Sequence, residues 1–175
     1  MSKNVVIVGG GIIGLSSAYF LNQAGHAVTV IDKSDPSAGC SFGNAGMIVP
    51  SHFIPLASPG MIAKGIRWMF DPESPFYVRP SFDLNLIKWG WNFYKHANEK
   101  HVRNSINPLK EIHLLSKSLY HQWSTELPFD FGYLERGLLM LYQTSSTEKE
   151  EIETAHLANE IGIEARVLNA EEVQR

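Results

Sequence analysis

Three glycines and one acidic residue near the N-terminus have the spacing that dinucleotide binding requires. Gly9, Gly11 and Gly14 form a GxGxxG motif, and Asp32 follows it. The first glycine allows a sharp turn, the second lets the backbone approach a pyrophosphate, and the third lets a helix pack closely on a strand. The Asp32 carboxylate can accept hydrogen bonds from both hydroxyls of an adenosine ribose and would repel a 2′-phosphate, although Lys33 beside it weakens that exclusion. A glycine-rich turn without a ligand is the alternative.

The elements around these residues are predicted to be a strand, a helix and a second strand. Val5 to Val8 is a β-branched run, typical of a strand buried on both faces of a parallel sheet. The helix that follows would direct its free N–H groups at an anion, and Gly25 is placed to end it in the left-handed conformation. Val28 to Ile31 forms the second strand. This context favours a dinucleotide-binding βαβ unit over a simple turn.

The stretch after the second strand is rich in small and turn-forming residues. Ser37 to Pro50 reads SAGCSFGNAGMIVP, so the backbone could pass close to a flat ligand and present N–H groups to it. A nicotinamide cofactor would not need such a loop, whereas a flavin would, because its phosphates and ring edge both require close donors. An ordinary surface loop is the alternative. We interpret Cys40 as a small packing residue rather than a reactive thiol.

Motifs along essentially the whole chain carry a resemblance to a known family. They are Gly9 to Gly14 with Asp32, Ser41 with Asn44-Ala45-Gly46, Pro50, Pro55 to Gly60, Lys64 to Phe70, Ile87 to Trp91 and Gly137 to Leu141. Together they resemble the D-amino-acid dehydrogenases, which belong to the FAD-dependent D-amino-acid oxidase and glycine oxidase superfamily. Proteins of this family are longer, so the chain resembles their N-terminal part.

The resemblance implies FAD as the cofactor and a D-amino acid as the small-molecule substrate. Hydride would leave Cα for flavin N5, and water would hydrolyse the imino acid to a 2-oxo acid and ammonia. A quinone or the respiratory chain would accept the electrons. The predicted cofactor-binding residues are Val8, Gly9, Gly10, Gly11, Ile12, Ile13, Gly14, Asp32, Lys33, Cys40, Ser41, Asn44, Ala45, Gly46 and Met47. No catalytic side chain is predicted, because the flavin performs the difficult step and the family's substrate-carboxylate ligands come mainly from its second half.

The predicted fold is α/β at its start and α+β overall. Residues 1–54 would open an FAD-binding domain as a Rossmann-like βαβ unit, and residues 55–175 would be a helical segment leading into a β-sheet substrate domain. Two parallel strands leave much of a sheet uncovered. We therefore expect the fold within these 175 residues to be incomplete, and the isolated chain to be inactive with exposed apolar surface.

Beyond Ile54 the pattern is mostly helical. Helix starts are predicted at Ser58-Pro59, at Ser81 to Asp83, at either Glu99 or Asn107-Pro108, and at the capping boxes Thr147 to Glu150 and Asn169 to Glu172. Phe131 to Glu135 and Leu138 to Tyr142 predict a β-hairpin, and Arg166 to Leu168 a short strand. In the helix after Asp83, a stripe of Leu84, Ile87, Trp91 and Tyr94 predicts a core-facing side. Anchoring at a membrane interface by Trp68, Trp89 and Trp91 is the alternative.

Composition argues against several functions. The formal net charge of −3 gives no field for holding nucleic acid. No stretch reaches the roughly 18 apolar residues of a membrane span, and no secretory signal pattern is present. The single cysteine excludes an internal disulfide, and the histidines lack the spacing of metal ligands, so no metal is predicted. The expected location is the cytoplasm, with peripheral contact at the inner face of the membrane as an extension.

Three other interpretations remain open at the level of sequence. A glycine or sarcosine oxidase, or a cyanide-forming glycine dehydrogenase, would share the fold and differ in substrate and electron acceptor. An NAD-dependent dehydrogenase would use the first motif without needing the segment from Ser41 to Gly46, here called the asparagine loop. A non-catalytic fragment, or one chain of a split flavoprotein, is the third.

Overall fold

The computed structural model describes residues 1–74, 77–79 and 81–174. Contacts within the chain group it into two compact units, with the division after Met47. The domain boundary expected after Ile54 stays a prediction.

The first unit is a β-α-β arrangement. β1 (Asn4–Val8) and β2 (Ala27–Ile31) pair in parallel, with Asn4 opposite Ala27 and Val8 opposite Ile31, and α1 (Ile12–Gln23) connects them. Gly25 has a φ of 82°, which is the left-handed conformation expected after the helix. A 3₁₀ turn, Pro36–Ala38, follows β2. The predicted strand, helix and strand are therefore confirmed.

The two strands are not buried on both faces. Val5, Ile7, Val28 and Val30 are half-buried, whereas Val6, Val8 and Ile31 on the opposite face are exposed, Val8 at 86%. The prediction of double-sided burial is wrong for this structure, because a single βαβ crossover places its helix on only one face of the sheet.

The second unit is helical. It contains α2 (Met61–Met69), α3 (Leu84–His96), α4 (Glu99–Glu126), α5 (Ser145–Glu160) and α6 (Ala170–Val173). Its buried core is Phe53, Ile106 and Ala158, against which Val102, Leu157, Ile161, Ile163 and Ala165 pack. These contacts join α4 and α5 with the segment before α2. No helix in the part of the chain that the structure describes combines the length and apolar character needed to cross a bilayer.

Side-chain caps define most of the helix starts. Asp83 accepts from the N–H of Asn85 to cap α3, and the Asn169–Glu172 capping box forms as predicted. Pro108 lies inside α4, so the longer of the two predicted helices is the correct one. The start of α5 differs from the prediction: Thr144, not Thr147, is the cap. The Thr144 hydroxyl accepts the N–H of Thr147, which places Thr147 inside the first helical turn.

The predicted hairpin is absent. Residues 128–143 contain no strand, and neither does the stretch from Arg166 to Leu168. Extended backbone becomes a strand only when its N–H and C=O groups pair with a neighbour, and the described residues give these segments no such ladder. Gly132 and Gly137 adopt the left-handed conformation, with φ of 75° and 77°. The Tyr133 ring stacks on Tyr120 of α4 at 6.5 Å between ring centroids.

The apolar stripe of α3 faces away from the protein. Leu84, Ile87, Trp91 and Tyr94 are all exposed, whereas Leu86, Gly90 and Phe93 on the other side are half-buried. The prediction of a core-facing stripe is therefore wrong for this structure. Helical spacing creates an apolar side, but burial of that side also requires a neighbouring element to pack against it.

Candidate functional site

The glycine turn has strict steric requirements. Gly9 has a φ of 111°, a conformation that favours glycine, and its N–H donates to the carbonyl of Ile31 at 2.8 Å. A Cβ on Gly14 would lie 1.9 Å from the Gly9 carbonyl oxygen, far inside any van der Waals contact. Closure of α1 onto β1 therefore depends on glycine at position 14, as the motif predicts.

Ser41 joins the asparagine loop to the first turn of α1. Gly11 caps this helix without a side chain, and the next N–H, from Ile12, donates to the Ser41 hydroxyl oxygen at 3.0 Å. A Cβ on Gly11 would lie 3.1 Å from that oxygen, closer than most real contacts. Because the Ser41 hydroxyl accepts from Ile12, its own proton stays available to an anion at the helix N-terminus.

Asp32 lies against the glycine turn. Its Oδ2 accepts the N–H of Gly10 at 2.6 Å, and its Oδ1 accepts from the N–H and the hydroxyl of Ser34 at 2.9 and 3.3 Å. The Gly10 N–H, followed by the Ser34 N–H, holds the pKa of the Asp32 carboxyl below its ordinary value of 3.8. The carboxylate is thus charged at neutral pH and fixed beside the turn that should hold the pyrophosphate.

Ser34 is a site residue that the sequence interpretation missed. Its backbone and hydroxyl orient Asp32 from the side opposite Gly10. The sequence could have indicated this contact, because an aspartate followed two residues later by a serine is typical of an Asx turn. Lys33, between them, has an exposed side chain.

The asparagine loop forms its own turn. The Asn44 amide donates to the Ser41 carbonyl at 2.6 Å, and its Oδ1 accepts the N–H of Gly46 at 2.6 Å. Gly46 has a φ of 64°, and a Cβ there would meet nothing within 4 Å. Glycine at this position thus has a conformational reason that the sequence interpretation did not include. Asn44 orders the loop from within, while Ser41 attaches it to α1.

The other predicted cofactor-binding residues have exposed side chains. Cys40, Ala45 and Met47 are exposed, and Val8, Ile12 and Ile13 expose their side chains around the glycine turn. Their contact with a cofactor stays a prediction. No group of three or more His, Cys, Asp or Glu residues suited to a metal ion occurs among the residues that the structure describes.

An open apolar groove of about 520 Å³ lies along the glycine turn. β1 and α1 supply its lining, which is Val6, Ile7, Val8, Gly9, Gly11, Ile13, Gly14, Ser17 and Leu21. Seven of these residues belong to the predicted site or to β1 beside it, whereas Ser17 and Leu21 belong to α1. The backbone of the glycine motif is therefore accessible from this groove.

These features define a dinucleotide-binding protein. The turn requires glycine, the helix N-terminus presents N–H groups, and a charged carboxylate ends the second strand. Residues 4–175 match the family described as FAD dependent oxidoreductase (DAO), and the chain belongs to that family. FAD is the cofactor of this family, which agrees with the prediction from the loop.

The chain is similar to curated D-amino acid dehydrogenases. A D-amino acid dehydrogenase of Helicobacter pylori is 38% identical over 154 residues, which cover 88% of this chain and 37% of the relative. A D-amino acid dehydrogenase of Neisseria meningitidis serogroup C (strain 053442) is 31% identical over 170 residues, covering 96% of this chain and 40% of the relative. The chain thus spans about two fifths of the length of these relatives. No solved structure matches it. The resemblance stated from the motifs is confirmed.

Removing the Ser41 hydroxyl should weaken FAD binding. Ser41→Ala leaves the Ile12 N–H without its acceptor and releases the loop from α1, so we expect about a 2- to 10-fold loss of FAD affinity in a fluorescence titration. Ser37→Ala is the matched control, because the Ser37 hydroxyl donates to the nearby Asp35. Equal affinities for wild type and Ser41→Ala would contradict a role for Ser41.

Two substitutions at Gly46 separate backbone conformation from cofactor approach. Asparagine tolerates positive φ, so Gly46→Asn should keep the wild-type unfolding temperature and lose FAD affinity. Valine does not tolerate positive φ, so Gly46→Val should lower both the unfolding temperature and the FAD affinity, with a backbone strain of about 1–2 kcal/mol. Thermal unfolding and FAD titration of the two variants make the comparison. Wild-type FAD affinity in Gly46→Asn would show that Gly46 is needed only for the turn.

Proposed function

We propose that the protein is an FAD-dependent D-amino-acid dehydrogenase, which converts a D-amino acid to a 2-oxo acid and ammonia. Family membership supports the cofactor, and the D-amino acid dehydrogenases among its relatives support the substrate class. The observation that carries the proposal is the hydrogen bond from Ile12 to Ser41, because it joins the dinucleotide motif to the loop that distinguishes a flavin from a nicotinamide site.

We assign the residues of the first unit to successive parts of FAD. The α1 N-terminus and the glycine turn would hold the pyrophosphate through backbone N–H groups, with the Ser41 proton as a further donor. The loop from Ser41 to Gly46 would approach the flavin end. Asp32 would accept from the adenosine ribose.

Asp32 has limited capacity left for the ribose. A carboxylate offers about four acceptor positions, and Gly10 and Ser34 already use three of them. One ribose hydroxyl can therefore bind directly, whereas the second would displace the longest of the three contacts, that of the Ser34 hydroxyl at 3.3 Å. Binding of both hydroxyls would thus release the Ser34 hydroxyl and keep the Gly10 contact.

FAD, when bound, supplies a two-electron acceptor for dehydrogenation of the substrate at Cα. The described residues contribute orientation through the contacts above, and we assign no catalytic side chain to them. We place residues 1–54 at the opening of the FAD-binding domain, and we propose that residues 55–175 are a helical segment and the beginning of the substrate domain. We further propose a quinone or the respiratory chain as electron acceptor, and a cytoplasmic location with access to the inner face of the membrane.

Amine oxidation by the complete, FAD-loaded protein tests this proposal. D-alanine should be oxidised with a quinone analogue as acceptor, with release of pyruvate and ammonia, whereas L-alanine, the matched control, should not react. Faster oxidation of glycine or sarcosine with oxygen as acceptor would contradict the proposal and favour an oxidase. Residues 1–175 alone, supplied with FAD and the same acceptor, should give no turnover, because one face of the βαβ sheet and the groove beside it are open.

A further inference from the structure

The chain shortly after the asparagine loop forms a tight turn. The carbonyl oxygen of Val49 accepts the N–H of His52 at 3.1 Å, which closes a four-residue turn with Pro50 at its second position. Proline suits that position because its ring fixes φ near the value that the turn requires. Phe53 follows the turn, and its side chain is fully buried. The segment from Val49 to Phe53 is therefore ordered by a hydrogen bond and by burial.

One side of α4 contacts both ends of this segment. Ile106 and His113 are two helical turns apart, so they lie on the same side of the helix. Ile106 belongs to the buried cluster that contains Phe53. The Nδ1 atom of His113 lies 3.2 Å from the carbonyl oxygen of Val49. Phe53 is thus held through apolar packing, whereas Val49 is held through a hydrogen bond.

The direction of the His113 hydrogen bond follows from its partner. A carbonyl oxygen only accepts, so the Nδ1 atom of His113 must carry a proton and donate. The Val49 oxygen then accepts two hydrogen bonds, one from the backbone of His52 and one from His113. Val49 and His113 are both half-buried, and an unpaired polar group away from water is costly. The His113 bond therefore restricts both the position and the orientation of the Val49 peptide group.

We propose that His113 is a positioning residue for the FAD site, because it fixes the chain that leaves the asparagine loop. Val49 is the third residue after Gly46, so the Cα atoms of the two can lie at most about 11 Å apart. A shift of Val49 is transmitted to the loop through this short connection. The inference rests on the proposed role of the asparagine loop at the flavin end of FAD, and it adds a residue of α4 to that role.

Flavin binding and flavin spectra of the complete protein test the proposal. His113→Leu removes the donor, so it should lower the FAD affinity of the apoprotein about 2- to 10-fold and change the visible circular dichroism of the bound flavin. His113→Asn and His113→Gln each retain a side-chain N–H donor, and at least one of them should restore both properties toward wild type. Recovery that requires a donor distinguishes positioning from the filling of space.

Two controls separate the hydrogen bond from other effects of substitution. Ile106→Val removes one methyl group from the core beside Phe53, so it should lower the unfolding temperature and keep the wild-type FAD affinity and flavin spectrum. His121→Leu also replaces a histidine of α4, but the Nδ1 atom of His121 lies 3.3 Å from a Glu135 carboxylate oxygen. This variant should keep the wild-type flavin spectrum.

Wild-type FAD affinity and flavin spectrum in His113→Leu would overturn the proposal. So would a loss that neither His113→Asn nor His113→Gln reverses, or one that Ile106→Val reproduces. These measurements do not require turnover of a substrate. If the protein bound FAD and failed to oxidise D-alanine, the proposed function would be wrong, and a donor-dependent effect of His113 on the flavin would still support the positioning role.

Discussion

Gly14→Ala is expected to cause the largest loss of FAD binding of any single methyl group added to the first unit. The new Cβ would lie 1.9 Å from the Gly9 carbonyl oxygen, so α1 and the turn must separate. Overpacking of this kind costs about 1–3 kcal/mol, and its upper end corresponds to roughly 100-fold in affinity. Titration of the apoprotein with FAD measures the loss.

Gly43→Ala provides the matched control for that experiment. Gly43 lies in the same unit, its φ is not in the left-handed region, and a Cβ there would meet nothing within 4 Å. We expect wild-type affinity and a wild-type unfolding temperature for it. Similar losses in both variants would show that the fit of α1 on β1 is not what limits cofactor binding.

Asp32→Ala should produce the second large effect. It removes the hydrogen bonds to Gly10 and Ser34 together with the acceptor for the ribose, so FAD affinity should fall by roughly 5- to 150-fold. Asp35→Ala is a close control, because Asp35 also forms an Asx turn with a serine two residues on but does so away from the glycine turn. A smaller loss in Asp32→Ala than in Asp35→Ala would contradict the assignment of Asp32 to the cofactor.

The pH dependence of binding should follow from the same carboxylate. Hydrogen bonds to the charged form lower the folded-state pKa of Asp32 below 3.8, so its contribution is complete above that value and is lost as the pH falls through the lowered pKa. Titration of Asp32 should therefore not change the FAD affinity of the wild-type protein between about pH 5 and pH 8. In Asp32→Asn, affinity should be lower across this range without a new titration step. Titrations at several pH values compare the two proteins.

The first unit could be predicted from sequence because its rules are local. The turn at Gly9, the fit of Gly14 and the end of α1 at Gly25 are steric consequences of backbone geometry over a few residues. The attachment of Ser41 to Ile12 spans 29 positions, so only its proximity to a cofactor could be inferred, and that inference came from the family resemblance. The Gly10 contact of Asp32 spans 22 positions and was missed for the same reason.

The second unit shows where local patterns are insufficient. Two segments with strand-like composition between residues 131 and 142 form no ladder, because a strand requires a partner that composition does not specify. One side of α3 has the spacing of a buried face, yet Leu84, Ile87, Trp91 and Tyr94 on that side are all exposed. Either Thr144 or Thr147 could be the N-cap of α5 by residue type. Thr144 is the N-cap because the first helical turn forms with the Thr147 N–H donating to its hydroxyl. In each case the missing information is a contact between segments.

Cofactor competition on the complete protein tests the central claim most directly, namely that the glycine turn, Asp32 and the Ser41–Gly46 loop form one FAD site. The bound cofactor would be released by denaturation and identified by chromatography, and the apoprotein would be titrated with FAD and NAD. We predict release of FAD, tight rebinding of FAD and negligible binding of NAD, with weaker FAD binding in Ser41→Ala. Preference for NAD, or FAD binding that is indifferent to both Asp32→Ala and Ser41→Ala, would contradict the assignment of this site.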